Sequence, residues 1–198
     1  MAFWGTDLDG NTMGDPKRKF RWRLTFGADA TDQNNIIWYA KTVTKPEINV
    51  SNDTTHKFLG HTFKFPGSVT WNDIEVTLVD PVSPDAARKT LAIIHGAGYR
   101  FPETDDILET ISKDKAVDAI KFFKIEQLDG SGNAIERWDL HNPFLSKVGF
   151  GELSYEDDGL SEISLTITYD WAKWNPTAAG DSDIFTGETG PYTTPEAN

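Results

Sequence analysis

The sequence contains no cysteine, so disulfide bonds, thiolate metal sites and thiol nucleophiles are all excluded. It also lacks any apolar run of about 18 residues, the minimum for a membrane-spanning helix. Its first residues do not carry the basic-then-apolar pattern of a secretory leader. We therefore expect neither a signal peptide nor a membrane anchor, and we expect a soluble chain that is made in a cytoplasm.

Basic residues are scarce relative to acidic ones. The 198-residue chain has 19 Lys and Arg against 31 Asp and Glu, a formal net charge of −12. Such a chain lacks the basic footprint needed to wrap nucleic acid by neutralising phosphates. Like charge does not prevent DNA from passing close to the protein without binding.

Hydrophobic residues are also few, at 38%, whereas aromatic residues are plentiful, at 12%. The length suits one domain. Large aromatic side chains are favoured at interfaces, where one part is apolar and another is polar. The composition thus favours a subunit that completes the burial of its apolar surface against other chains.

Period-two alternation is the dominant pattern. It is clearest over residues 20–26 and 163–171, where apolar and polar side chains alternate, and it predicts antiparallel strands with one apolar face. Further strands are predicted at residues 36–43, 58–65, 74–79, 120–128, 135–140 and 148–155. The turn-forming residues 129–133 connect two of them.

One segment has a helical pattern. Ser83, Pro84 and Asp85 predict a helix start with proline in the first turn, and glycines at 96 and 98 predict its end, giving a helix over residues 84–96. A weaker helix is predicted over residues 105–111. Strands followed by a helix and more strands predict a mainly β fold, an antiparallel β-sandwich or barrel with a flanking α-helix.

Composition divides the chain into three parts. Residues 1–17 form an irregular N-terminal arm, residues 18–174 form the β domain, and residues 175–198 form an extended or disordered tail rich in Pro, Thr and Gly. Within the domain we predict a long β-hairpin over residues 48–66.

The first candidate for chemistry is the pair Asp7 and Asp9, in a segment that resembles the aspartate loop of haloacid-dehalogenase-type phosphatases. Asp181 and Asp183 could imitate the acidic magnesium loop of those enzymes. That chemistry needs the first aspartate at the end of a buried parallel strand, whereas only six residues precede Asp7 and no βα alternation follows. Polar turns explain both segments better, and a phosphatase-like enzyme remains one alternative.

Histidine is the second candidate. His56 and His61 lie five residues apart, which on one strand places them on opposite faces, and no third ligand is near in sequence. The segment at His95 resembles a hydrolase oxyanion loop, but the chain has no Gly-x-Ser-x-Gly nucleophile motif. We predict no catalytic residue, no cofactor site and no metal site.

Seven tryptophans form the third candidate, because exposed tryptophans can line a sugar-binding face. Trp22 and Trp171 fall in register with apolar strand faces, which favours burial in the core or between subunits. A carbohydrate- or partner-binding β-sandwich stays open as an alternative from a different class. The residues are Trp4, Trp22, Trp38, Trp71, Trp138, Trp171 and Trp174.

The order of these segments resembles the tail tube proteins of T4-like contractile phages, within the tail tube and type VI secretion tube superfamily. The resemblance covers residues 18–174, and it departs from the family in an insertion at residues 99–117 and in the tail. It lies in the strand at 20–26, the stretch from Ile37 to Pro46, the hairpin at 48–65, the stretch from Gly67 to Asp80, the helix start from Asp85 to Lys89, and the closing segments Trp138 to Leu140, Phe144 and Leu145, 148–155 and 163–171.

The resemblance implies a structural virion protein rather than an enzyme. In that family six copies close into a ring with a continuous inner β-barrel, and the rings stack into a tube. The implied partners are further copies of the chain, the tail sheath protein, and the baseplate tube-initiator and tail terminator proteins. DNA passes through the lumen without specific binding. The implied location is the phage tail of the virion, assembled in the host cytoplasm; related tubes serve phage-derived contractile injection systems, which remain an alternative.

Two sets of site residues follow from the resemblance. The long hairpin reaches neighbouring subunits or rings in the family, so we expect contacts there. Strands that line the lumen need a polar face, and the last alternating segment has one. The contact candidates are Phe58, Leu59, His61, Phe63 and Phe65, and the lumen candidates are Ser164, Thr166, Thr168 and Asp170.

Overall fold

The computed structural model describes residues 16–27, 40–52, 54–83, 85–102, 109–156 and 158–176. These residues form twelve strands and two helices. Within them, no helix combines the length and the apolar character needed to cross a membrane. The elements are β1 Trp22–Gly27, β2 Ala40–Val43, β3 Ile48–Val50, β4 Thr54–Phe58, β5 His61–Phe65, β6 Val69–Trp71, β7 Ile74–Val79, α1 Ala86–Gly96, α2 Lys113–Ala119, β8 Phe122–Leu128, β9 Ala134–His141, β10 Phe144–Gly149, β11 Glu162–Thr168 and β12 Trp171–Pro176.

Eight of the strands form two four-stranded sheets. The first sheet has the order β1-β8-β9-β12 and the second has the order β10-β11-β7-β2, and every pairing is antiparallel. The predicted mainly β, antiparallel fold with a flanking α-helix and a long β-hairpin is confirmed.

The core lies between the apolar faces of these two sheets. The first sheet contributes Leu24, Phe26, Phe123 and Ile125, and the two phenylalanine rings stack with centroids 5.4 Å apart. The second sheet contributes a larger aliphatic set from β7 and β11. Period-two burial on both strands explains why the sequence alternation located them well. The aliphatic set is Ile74, Val76, Leu78, Ile163, Leu165 and Ile167.

Two aspartates fix the start of α1. Asp85 is the N-cap, and its side chain accepts a hydrogen bond from the Arg88 N–H at 2.9 Å. Asp80 Oδ1 accepts from the N–H groups of Ala86 and Ala87 at 3.2 and 3.3 Å. Both carboxylates satisfy backbone donors that a helix start leaves free. The helix therefore begins after Asp85 and not, as the sequence suggested, after Ser83.

The second helix also differs from expectation. The predicted helix over 105–111 lies mostly outside the described residues, and its described part, residues 109–111, is not helical. Instead Ser112 caps α2 by accepting from the Lys115 N–H at 3.3 Å, and α2 contacts α1 and β10. A cap residue directly before a short polar helix is a weak sequence signal, because propensity alone does not stabilise seven residues.

Three strand boundaries need correction. The predicted strand at 148–155 is wrong over most of its length: the strand is β10, Phe144–Gly149, and residues 150–156 are irregular. The predicted strand at 163–171 is two strands, β11 and β12, joined at Tyr169 and Asp170. The run at 58–65 crosses a hairpin turn at Leu59 and Gly60. β12 continues to Pro176, two residues past the predicted end of the domain.

Candidate functional site

The four strands between β2 and β7 form one long two-stranded hairpin. β3 pairs with β6 at its base, and β4 pairs with β5 at its end. None of its paired strands joins either four-stranded sheet. The backbone of this hairpin is bound by its own hydrogen bonds, while the side chains of β3, β4 and β5 are exposed to solvent.

Register gives the end of the hairpin two different faces. Residues directly opposite each other in an antiparallel pair point to the same side, and alternate residues point to opposite sides. Phe58 pairs with His61, His56 with Phe63, and Thr54 with Phe65. One side, which we name the aromatic face, therefore carries Thr54, His56, Phe58, His61, Phe63 and Phe65. The other side, the lysine face, carries Thr55, Lys57, Thr62 and Lys64.

The aromatic face is exposed along its whole length. Phe58 is 60% exposed, and Phe63 and Phe65 are each exposed by about half. Apolar side chains grouped on one side of a projecting ribbon are unusual on a monomer surface. Four of the five predicted contact residues, all except Leu59, lie on this face; Leu59 lies at the hairpin tip.

The tip of the hairpin has a strained apolar residue. Leu59 and Gly60 have φ values of 47° and 80°, and Leu59 is 81% exposed. Two successive positive φ angles are typical of a type I′ turn, where Asn or Gly is preferred because a Cβ is crowded in the left-handed region. An exposed leucine there costs conformational energy and gains no burial within its own chain.

The two histidines of the hairpin share one face, contrary to the prediction from the sequence. The prediction that His56 and His61 lie on opposite faces is wrong, because the turn between them places both on the aromatic face. In the described part of the chain, no group of three His, Asp or Glu side chains could hold a metal ion.

The outer side of the second sheet is polar. Ser164, Thr166 and Thr168 alternate with the buried residues of β11 and so share the face that points away from the core. Ser164 pairs with Thr77, and Thr166 pairs with Glu75. Three of the four lumen candidates therefore lie together on one surface.

Charge on this polar sheet face is mixed. Glu75 and Lys147 both lie opposite Thr166, on its two neighbouring strands. Glu162 of β11 forms an ion pair with Lys41. The acid surplus of the chain is thus not concentrated among these residues.

The fourth lumen candidate, Asp170, lies apart from the other three, in the turn between β11 and β12. Its carboxylate accepts hydrogen bonds from Lys113 Nζ at 2.7 and 2.9 Å and from Asn142 Nδ2 at 2.7 Å. The bond from Lys113 is the main cause that lowers the pKa of Asp170, followed by the bond from Asn142. Asp170 therefore connects α2 to the turn after β9.

A groove lined with tryptophan opens beside the hairpin base, with a volume of ≈ 710 Å³. Trp138 and Trp174 are cross-strand partners on the same side of the first sheet as the buried Leu140 and Ala172, so the groove is the open end of the core. The sequence presented these tryptophans as candidates, but their convergence depends on β12, which was not predicted. We name this the tryptophan groove; its lining is Ile48, Trp71, Trp138, Trp171, Ala172, Lys173 and Trp174.

Acidic residues lie beside the tryptophan groove. Glu47 precedes Ile48 of the lining, and its carbonyl accepts a hydrogen bond from the Asn72 N–H at 3.0 Å. The Tyr169 ring lies 6.0 Å from the Trp71 ring. Burial, then the charge of Asp73, with a smaller contribution from the charge of Glu47, raises the pKa of Tyr169 to about 12. Glu47 directly precedes Ile48 of the lining and Asp73 follows Trp71 of the lining by two residues, so both belong to the chain segments that border the groove.

A buried carboxylate anchors the segment that leads into the hairpin. Glu136 of β9 is buried and accepts hydrogen bonds from Lys17 and Lys45. Burial acts to raise the pKa of Glu136, but the bonds from Lys17 and Lys45 together hold it below its ordinary value of 4.5. Lys45 lies between β2 and β3, so Glu136 ties the first sheet to the chain just before the hairpin.

Comparison with solved structures identifies the fold. The anti-feeding prophage (AFP) tube terminating cap matches with a TM-score of 0.61 and 14% identity, over 89% of this chain and 99% of that one. The sheath/tube terminator structure of PVC, an extracellular contractile injection system, matches with a TM-score of 0.60 and 14% identity, over 83% of this chain and 99% of that one. A chain of the six-fold symmetrised AFP baseplate matches with a TM-score of 0.58 and 11% identity, over 83% of this chain and 98% of that one.

No protein-family profile and no curated protein sequence matches the chain. At 11–14% identity the likeness establishes the fold alone. The chain thus has the fold found in tube, cap and baseplate components of contractile injection systems.

Proposed function

We propose that this chain is a structural subunit that forms six-membered rings, which stack into the inner tube of a contractile phage tail. The observation that carries the proposal is the projecting hairpin, whose exposed aromatic face has no partner in the rest of the described chain. Such a face is stabilised only when it contacts another molecule. The fold likeness to a terminating cap and to a six-fold symmetrised baseplate chain supports a partner of the same kind.

The polar face of the second sheet is our candidate for the lumen wall. Serine and threonine hydroxyls at Ser164, Thr166 and Thr168 stay hydrated and present no apolar surface to passing DNA. Mixed local charge, together with a net charge of −12 for the chain, gives no basic stripe that would retain DNA. In this role the tube conducts DNA, the sheath protein surrounds it, and initiator and terminator proteins close its ends within the virion.

A tube of a phage-derived contractile injection system is a close variant of this proposal, since AFP and PVC proteins share the fold. The two roles differ in what passes through the lumen. Whole particles purified from producing cells would carry DNA in the phage role and would carry none in the other.

A carbohydrate-binding module is the second candidate, and four tryptophans around one groove favour it. Sugar recognition needs polar groups beside the aromatic rings to bind hydroxyls. Lys173 is the only lining residue with a charged side chain, and the others are apolar or tryptophan. The apolar lining favours an apolar occupant over a sugar.

Light scattering of the purified chain over a range of concentrations tests the proposal. A subunit of 22.1 kDa that closes into six-membered rings gives particles of about 133 kDa or larger multiples of that mass. A single 22.1 kDa species at every concentration, combined with saturable binding of an oligosaccharide, would replace the tube with the binding module.

A further inference from the structure

We propose that the tryptophan groove of one copy receives the aromatic face of the hairpin of a second copy, an inference that rests on the proposed function. The groove is then the surface that receives the hairpin, and three features favour this contact: the chemistry of the groove, the reach of the hairpin and the charges at both surfaces.

The groove requires an apolar occupant. Its walls continue the core, because Trp71 and Trp138 pack against the buried cluster between the sheets. Its volume of ≈ 710 Å³ lies within the range of ligand-binding clefts, about 300–1,000 Å³. Filling it with aromatic side chains extends the core.

The aromatic face of another copy supplies such an occupant. From Ile48 at the base to Leu59 at the tip the hairpin spans twelve residues, or about 36–40 Å. Ile48 and Trp71 of the same hairpin already line the groove at its base. The paired end, β4 with β5, lies beyond the paired base, β3 with β6, so in the proposed contact it reaches the groove of a second chain.

Charge complements this fit. Lys57 and Lys64 lie on the lysine face, and Glu47 and Asp73 lie beside the groove. Among the described residues, none of these four forms an ion pair. When the aromatic face meets the groove, Lys57 and Lys64 start on the far side of the ribbon, and their long flexible side chains bend around its edge to approach carboxylates at the rim.

A second exposed apolar segment fits the groove less well. Residues 150–160 expose Leu153, Tyr155 and Leu160, but the same segment carries Glu152, Glu156 and Asp158. Those carboxylates would meet Glu47 and Asp73 and repel them. Of these two segments, the hairpin is the occupant that both apolar and charged groups favour.

A contact between two different surfaces of one chain is heterologous. Each copy then offers a hairpin to one neighbour and a groove to another, so the contact repeats from copy to copy without a limit of two. This is the kind of contact that a stacked tube needs. Two hairpins that paired with each other would instead give a closed dimer.

Disulfide cross-linking tests the contact directly, because the natural chain has no cysteine. Two variants of the chain are mixed, His61→Cys on the aromatic face and Ile48→Cys in the groove lining, and oxidised mildly. We expect a covalent dimer that contains one chain of each kind. The control replaces Ile48→Cys with Ser131→Cys, in the turn between β8 and β9, and we expect loss of the mixed dimer.

Electron micrographs of the same samples separate the proposed tube function from the proposed contact between hairpin and groove. Rings or tubes whose cross-links join His61→Cys to itself or to Ser131→Cys would overturn the groove as receiver and leave the tube function standing. Absence of any assembled particle of the unmodified chain, both alone and with a baseplate tube-initiator, would overturn both the function and this inference.

Charge reversal gives an independent readout. The double variant Lys57→Glu with Lys64→Glu should lose assembly, and mixing it with Glu47→Lys with Asp73→Lys should restore a heterologous contact. Rescue by the mixture separates a specific contact from misfolding of either variant. Normal assembly of the reversed hairpin alone would contradict the proposal.

Discussion

Leu59 occupies a turn position that favours Asn or Gly, and it does so with most of its side chain in solvent. For an L-residue the left-handed conformation costs roughly 1–2 kcal/mol. A strained and exposed apolar residue is best explained by a contact that the isolated chain does not make. In the proposed assembly, the hairpin tip loses local stability and gains a contact with another copy.

Replacing Leu59 with Asn should separate the local stability of the hairpin from its ability to bind another copy. Because Asn adopts positive φ more readily, amide hydrogen exchange in β4 and β5 should slow by about fivefold, equivalent to about 1 kcal/mol. Assembly, measured by light scattering, should weaken. Leu59→Met is the matched control, since it keeps an apolar tip and the same strain, and it should assemble normally. Normal assembly of the Asn variant would remove Leu59 from the contact.

Glu136 contributes stability that depends on pH. Its pKa is lower in the folded chain than its ordinary value of 4.5, so the folded state binds fewer protons. The contribution is therefore present above pH 4.5 and is lost as pH falls through the lower, folded pKa. Glu136→Gln should lower the free energy of unfolding at pH 7 by about 1–3 kcal/mol, because two lysines lose a charged acceptor.

Urea unfolding of both proteins at neutral and acidic pH checks this. The difference in the free energy of unfolding between the natural chain and Glu136→Gln should shrink below pH 4.5. Glu162→Gln, which removes a more exposed partner of Lys41, should cost less than about 1 kcal/mol. A difference that stays constant with pH would show that burial of the side chain, and not its charge, is what matters.

At the scale of elements, the hairpin is an amphipathic ribbon with no core of its own. Its register, set by a two-residue turn, separates phenylalanines from lysines. A one-residue slip would exchange the two faces, so the turn at Leu59 and Gly60 fixes which surface a neighbour meets.

Substitutions on adjacent residues of β5 test the difference between the faces. Phe63→Asn should reduce the fraction of assembled chain at least tenfold, because it removes an apolar side chain that becomes buried in the contact. Thr62→Asn, on the lysine face of the same strand, should have a much smaller effect. Sedimentation of both variants measures the assembled fraction. Equal losses would mean that the face does not determine the contact.

The positions of strands were predicted best where one face of the strand is buried within the chain itself. β7 was located to the residue because Ile74, Val76 and Leu78 alternate with polar residues. β12 was missed because its tryptophans do not alternate strictly and its apolar side chains line an open groove rather than a closed core. The strand predicted at 148–155 relied on apolar residues such as Leu153 and Tyr155, which lie in solvent.

The candidate site was predictable only in part, for a similar reason. The hairpin contact residues stand out as phenylalanines in a short segment, but their common face depends on a turn between Phe58 and His61. The groove depends on pairing between β9 and β12, which are separated in sequence by β10 and β11. Long-range pairing of this kind leaves no local pattern.

At the scale of the whole molecule, net charge and exposed apolar surface together influence how copies of the chain would assemble. A net charge of −12 keeps separate subunits soluble, while the aromatic face and the tryptophan groove provide attraction at defined places. A conduit for DNA benefits from the same charge, because a polyanion does not adhere to it.

We expect no retention of DNA by the assembled protein. In an electrophoretic mobility assay at about 0.15 M salt, a double-stranded fragment should migrate as free DNA at every protein concentration, because few phosphates can be neutralised. A shift that weakens as salt rises would reveal a basic surface and would contradict the proposed lumen.

Negative-stain electron microscopy of the purified chain shows whether it assembles into a tube. We expect six-fold rings or hollow tubes, seen with the chain alone or after addition of a baseplate tube-initiator, and we expect them to disappear in the Phe63→Asn variant. A chain that stays a single 22.1 kDa particle at high concentration and in the presence of the initiator would contradict the proposed tube function.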